Sequence, residues 1–301
     1  MAQIPNDTIL KPGDGSGIDR ANTAGVVRDD RIFPETRWIG ACIPPFLVVA
    51  FIMLFFFPND TATLFAWTIK PAMTPLLMGA GYISGSYFFI RLTMGGKWHW
   101  YTNGFLPIAA FTWFMALSTI IHWDKFNHSH ISFYAWLVLY LITPILVPIL
   151  WLRNRATDPV TPEPNELIVP AIYRQIIGVV GAGMVVIVLF MFIFPDAAIS
   201  VWPWTLTQLT TRVIAGWFAL PGMVGLMFSR EPRWSAWRIV LESQLIGIAL
   251  ILVGVARAWG DFMTDRPTTW IFLVGMVGLL AFLVWIYVSM QQRSAKQPAA
   301  A

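Results

Sequence analysis

Residues 57–85 read FPNDTATLFAWTIKPAMTPLLMGAGYISG, and residues 194–222 read FPDAAISVWPWTLTQLTTRVIAGWFALPG. Laid over one another, they match at Phe57-Pro58 and Phe194-Pro195, Trp67-Thr68 and Trp204-Thr205, Thr74 and Thr211, Gly79 and Gly216, and Gly85 and Gly222. The spacing is 137 residues throughout and carries on, without a gap, to Trp100/Trp237 and Asp124/Asp261. Tryptophan is scarce in proteins, so paired tryptophans in one register point to an internal repeat, which decides the architecture before any other reading.

The repeat is apolar. Hydrophobic residues make up 57% of the chain and charged residues 12%, with a mean hydropathy of +0.64. A soluble chain carries roughly 25% charged residues. Runs of about 20 apolar residues, enough to cross a ~30 Å hydrocarbon layer as a helix, fall at Trp38–Phe57, Pro71–Leu92, Tyr101–Trp123 and Ile131–Leu152, then at Ile172–Phe194, Leu206–Phe228, Ile239–Trp259 and Trp270–Met290. Unbroken runs exclude lipid-exposed strands, which alternate apolar and polar residues. The sequence therefore predicts an all-α integral membrane protein of about eight transmembrane helices, arranged as two four-helix repeats. An even number of spans per repeat makes the repeats parallel, related by an axis along the membrane normal.

The expected divisions are a flexible tail over 1–36, a first repeat over 37–152, a Pro-rich linker over 153–170, a second repeat over 171–290 and a tail over 291–301. Pro159, Pro162, Pro164 and Pro170 keep the linker extended. Gly13-Asp14-Gly15-Ser16-Gly17 lacks the preceding strand and following Lys of a phosphate loop and reads as linker. The first thirty-odd residues carry no apolar signal core, so the first span is expected to direct insertion uncleaved. Cys42 is the only cysteine, which rules out an intramolecular disulfide and a thiolate cluster.

Basic residues set the expected orientation. Lys11, Arg20, Arg28, Arg31, Arg37, Arg91, Lys97, Arg153, Arg155, Arg174, Arg230, Arg233, Arg238, Arg293 and Lys296 fall on one side, with both termini. The positive-inside rule makes that side cytoplasmic and the protein a multi-pass component of the cell (inner) membrane. The net charge of +4 follows from this bias. No basic stripe suits nucleic acid, and the expected partners are the lipid bilayer and other membrane proteins.

Intramembrane charge marks candidate sites. Arg212 lies about two turns into the sixth span, beside Thr211, and suits an anionic substrate or a lipid headgroup. Glu242 and Lys70 complete the candidate substrate-binding set. On the turn after the third span, Asp124 and His128 form a pair whose counterpart is Asp261 and Asp265; two such turns about a pseudo-twofold axis would suit a divalent metal. His122 and His130 could face one another across the same turn as haem ligands. Prolines at 44, 45, 71, 75, 107, 144, 148 and 221 break spans, and Gly81-x-x-x-Gly85 with Gly178, Gly181 and Gly183 permits close helix contacts. Tryptophans at span ends form interfacial belts.

Three functions fit these residues. The first is a transporter or permease-like protein for a small or anionic solute. The second is a non-catalytic scaffold or accessory subunit of a membrane complex. The third is a metal- or haem-binding membrane enzyme or redox subunit. No nucleophile, zincin or Walker motif is present, which weighs against catalysis.

Overall fold

A computed structural model describes residues 28–295. The Gly13–Gly17 stretch, most of the expected 1–36 tail and the last six residues lie outside the described residues. Within them the chain is 77% helical and has no strand.

The first membrane-crossing unit, Pro34–Phe56, is built in pieces: α1 (Pro34–Cys42), α2 (Pro44–Phe51) and a π-helical turn at Ile52–Phe56. Pro44 starts α2 at its first position, where a missing N–H costs nothing. The unit ends at Phe57, ahead of Pro58. A short α3 (Thr61–Leu64) leads to α4 (Met73–Met94), which stops at Gly95 and Gly96, whose φ angles of 98° and 113° favour glycine. Next come α5 (Thr102–Ile121), α6 (Ile131–Asn154), α7 (Ala171–Ile193), the short α8 (Pro195–Val201), α9 (Gln208–Phe228), α10 (Ser235–Arg257) and α11 (Pro267–Ala295).

Seven of these units are long and apolar enough to cross a membrane. They make the chain a polytopic membrane protein in contact with the lipid bilayer. The run expected over Pro71–Leu92 became α4, which is not among the seven. It lies enclosed at the centre instead, with 14 of its 22 residues buried. Less contact with lipid demands less apolarity.

The packing comes in matching pairs. Helix α2 lies on α4 and α7 on α9; α6 lies on α5 and α11 on α10; at the centre α4 meets α10 and α5 meets α9. Glycine sets the closest crossing. A Cβ on Gly181 would fall 2.7 Å from the Gly222 carbonyl oxygen, and one on Gly225 2.7 Å from that of Ile177, so α7 and α9 touch backbone to backbone.

Loop hydrogen bonds show where the 137-residue spacing shifts. The Trp98 N–H donates to the Asp30 carbonyl (2.7 Å), and the Trp234 N–H to the Leu167 carbonyl (2.9 Å). The Asn127 N–H donates to Ala66 and the Met263 N–H to Pro203, both at 2.8 Å. Asp30 and Leu167, like Ala66 and Pro203, are 137 apart, but Trp98 and Trp234, like Asn127 and Met263, are 136 apart. By these bonds Trp237 corresponds to Tyr101 rather than Trp100, and one residue is lost in the loop between α9 and α10.

Candidate functional site

A cavity of about 160 Å³ lies at the centre of the bundle and is walled by residues of α2, α4, α5, α6, α7, α9, α10 and α11. No charged side chain lines it. Its polar groups are mostly paired: Tyr82 Oη with Tyr140 Oη at 3.0 Å, Thr112 with the Ala109 carbonyl, and Thr143 with the Leu139 carbonyl. Ser84 and Ser243 pair with each other across the wall. The Gln244 carboxamide and the buried Trp217 indole N–H have no hydrogen-bond partner among the described residues. Gln244 lies nine residues into α10, ~14 Å from its start at ~1.5 Å per residue and so near mid-bilayer depth.

A second space of about 490 Å³ opens laterally between α2 and α6. It shares Leu47, Tyr82, Leu139 and Tyr140 with the central cavity, so the hydrogen-bonded tyrosine pair stands at the junction of the two. The groove is walled otherwise by apolar side chains such as Phe46, Met53 and Ala135.

The charges expected to bind substrate are engaged elsewhere. Glu242 accepts from Tyr87 Oη, Tyr287 Oη (2.9 Å), Arg91 Nη1 (3.1 Å) and Arg238 Nε (3.0 Å), fastening α4, α10 and α11 together. Arg212 donates from Nε to the Phe192 carbonyl (3.1 Å) and from Nη1 to His122 Nε2 (2.7 Å), with its guanidinium over the Phe192 ring. Burial, followed by the neighbouring guanidinium, lowers the His122 pKa, so its neutral ring can accept that bond. Arg212 is shallower than the sequence suggested. Helix α9 begins only at Gln208, after a capping box between Thr207 and Thr210, placing Arg212 four residues, or ~6 Å, inside it. The Thr211 hydroxyl donates to the Thr207 carbonyl of its own helix, and Lys70 is exposed in the connection before α4 rather than within a span. Neither Arg212, Thr211, Glu242 nor Lys70 lines the cavity.

The expected metal and haem residues are scattered in the same way. Asp124 is exposed and paired with Lys125 (2.8 Å), while Asp261 accepts from the Met73 N–H (2.8 Å) and caps α4. Asp265 is exposed, and His128 packs its ring on Trp123 and Phe133. Among the described residues no three of His, Cys, Asp and Glu form a group that could hold a metal. His130 caps α6, accepting from the Ser132 N–H (3.2 Å), and His122 Nε2 is taken by Arg212, so the two histidines do not present a ligand pair.

The opposite membrane face carries a polar knot that sequence spacing does not show. Asp30 binds His99 Nδ1 and, from its other oxygen, the His99 N–H (3.0 Å). His99 Nε2 meets Ser235 Oγ at 2.8 Å, and Ser235 donates from Oγ (2.7 Å) and N (2.9 Å) to Glu166. Beside it, Arg233 forks onto Asp158 (2.8 and 3.2 Å) and onto Glu231 (2.8 and 2.7 Å). Burial acts to raise the Asp158 carboxyl, but Arg233 and the Val160 N–H outweigh it and leave its pKa below the ordinary value. The order Asp30–His99–Ser235 resembles a hydrolase relay, yet the serine proton is committed to Glu166, and neither the cavity nor the groove reaches it.

Sequence reasoning missed the cavity groups. The signal for one of them was present: Glu242-Ser243-Gln244 puts three polar residues in a row inside an apolar span. No family model, curated protein or solved structure matches the chain.

Proposed function

We propose that this protein is a carrier for an uncharged, bilayer-dissolved amphiphile: a long apolar chain bearing a small hydrogen-bonding head. The observation that carries this reading is the continuity between the lateral groove and the chargeless central cavity at Tyr82 and Tyr140. The cavity by itself is close to the ~150 Å³ that admits a single benzene ring. A solute that small and apolar crosses lipid unaided, so a dedicated site makes sense only for a larger molecule whose chain stays in the groove. The head would find the tyrosine hydroxyls, the unpaired Gln244 amide and the Trp217 N–H. The small or anionic solute expected from Arg212 is replaced by this one, because no charge borders the site.

The architecture behind it is two parallel four-helix repeats, 37–152 and 171–290, with a site at their interface near the bilayer midplane. The paired packing of α2/α4 with α7/α9, and of α4/α10 with α9/α5, supports that arrangement. The placement in the cell membrane with cytoplasmic termini rests on the distribution of Lys and Arg.

The test is solvent extraction of protein purified in mild detergent, followed by mass spectrometry of the extract. A chain-bearing neutral amphiphile should be retained by the wild type and lost from Leu139→Trp, which plugs the junction. Absence of any such molecule from the wild type, with no binding of an added prenol or quinone, would overturn the reading. One observation favours a second reading, an accessory subunit: Glu242 and Arg212 are both spent on fastening helices. A Leu139→Trp protein that assembles and functions normally would point there.

A further inference from the structure

Phe55 and Phe192 stand 137 residues apart, each in the last turn of a helical unit on the same membrane face. Their carbonyl oxygens are among the four that every helix leaves without an internal partner. An arginine takes each one. Arg212 Nε donates to Phe192 O at 3.1 Å, with the guanidinium carbon 5.8 Å from the Phe192 ring centroid; Arg257 Nη1 donates to Phe55 O at 2.6 Å, 5.1 Å from the Phe55 centroid.

The arginines are not matched in sequence. Pro75 and Ile120 stand 137 residues before Arg212 and Arg257. Two different helices, α9 near its start and α10 at its end, thus deliver the same cation to the same kind of place. Capping a helix C-terminus explains part of each guanidinium. It leaves the rest unused: Arg212 Nη2, and Arg257 Nε and Nη2, have no protein partner among the described residues. Neither arginine has a carboxylate within ion-pair distance there. Both lie within about one turn of a helix end, at the level where headgroups begin.

We infer that this face carries two phosphate-binding sites, one at Arg212 over Phe192 and one at Arg257 over Phe55, each taking a lipid phosphodiester. A planar fork already fixed at one corner by a carbonyl presents its remaining N–H groups in a set direction, which suits a phosphate better than a mobile lysine would. The Arg212 site is the more enclosed, with His122 as an added wall.

The test uses full-length protein in mild detergent, titrated with dioctanoylphosphatidylglycerol, with dioctanoylglycerol, which lacks the phosphate, and with inorganic phosphate. The phosphatidylglycerol should raise Tm and the dioctanoylglycerol should not. Native mass spectrometry should count two phosphatidylglycerols on the wild type, one on Arg212→Gln or Arg257→Gln, and none on the double variant. The corresponding Lys variants should bind more weakly rather than not at all. A Tm rise with inorganic phosphate that the Gln variants lose would keep the sites and place the phosphate in solution. Equal response to the two glycerolipids with none to phosphate, or an unchanged lipid count on the double variant, would overturn the inference. Should the double variant fail to fold, the three wild-type titrations still decide it.

Discussion

Ser84 and Ser243 clasp one another across the α4–α10 contact: Ser84 Oγ donates to the Ser243 carbonyl at 2.6 Å, and Ser243 Oγ donates to the Ser84 carbonyl at 2.8 Å. The reciprocal pair sits in the cavity wall beside Gly247, where an added Cβ would meet Ser84 at 3.2 Å. Ser84→Ala should cost about 0.6–1 kcal/mol, the usual worth of such a bond between membrane helices. Ser84→Leu should cost several times more by forcing the helices apart. Denaturant unfolding in mixed micelles measures both, and an equal effect of the two would deny the close contact.

Two glycines two positions apart should behave differently. Gly181→Ala drives a methyl into the Gly222 carbonyl and the Gly225 backbone, whereas a Cβ at Gly183 meets nothing within 4 Å. We expect Gly181→Ala to lower stability by about 1–3 kcal/mol, as overpacking does, and Gly183→Ala to be neutral. Thermal unfolding of the two purified variants is the check.

His122 predicts an acid-sensitive fold. Burial and Arg212 depress its folded pKa below the ordinary imidazole value of about 6.5. Between the depressed value and 6.5 the unfolded chain binds a proton that the folded chain refuses, so stability should fall as pH drops through that window. The His122→Gln protein, with an acceptor that does not titrate there, should lose less over the same range. Parallel Tm–pH curves for the two proteins would sink the expectation.

Glu242 should be worth more than any one of its partners. Glu242→Ala strands two guanidiniums and two tyrosine hydroxyls at once, while Arg238→Ala removes one half-exposed arm. The first should destabilise by about 3 kcal/mol, in the range for breaking a largely buried ion pair. The second should cost under 1 kcal/mol, as for an exposed pair. A reversed order in urea titrations would show that the cluster is not centred on the carboxylate.

The long helices were legible because apolar runs of span length have few other destinations. The helix ends were less so. Arg212 was read too deep because Leu206 is apolar, whereas Thr207 and Thr210 start the helix two residues later with their side chains. That signal was present in the sequence and went unused. Asp30, His99, Glu166 and Ser235 could not have been grouped, since their pairing depends on how a tail, two loops and a linker converge after the bundle has formed. The cavity depends on what eight units leave unfilled, and no single run of residues encodes a space.

The knot around His99 and Arg233 has a mechanical corollary. It laces Asp30, the 155–170 linker and the start of α10 together at one end of the bundle with buried, doubly held groups. At the far end, Arg212 and Arg257 each rest on a single main-chain oxygen. A bundle stitched so unevenly has its compliance concentrated at the loosely sewn rim. Any breathing that widens the gap beside Tyr82 and Tyr140 would start there, with the stitched end acting as the fulcrum.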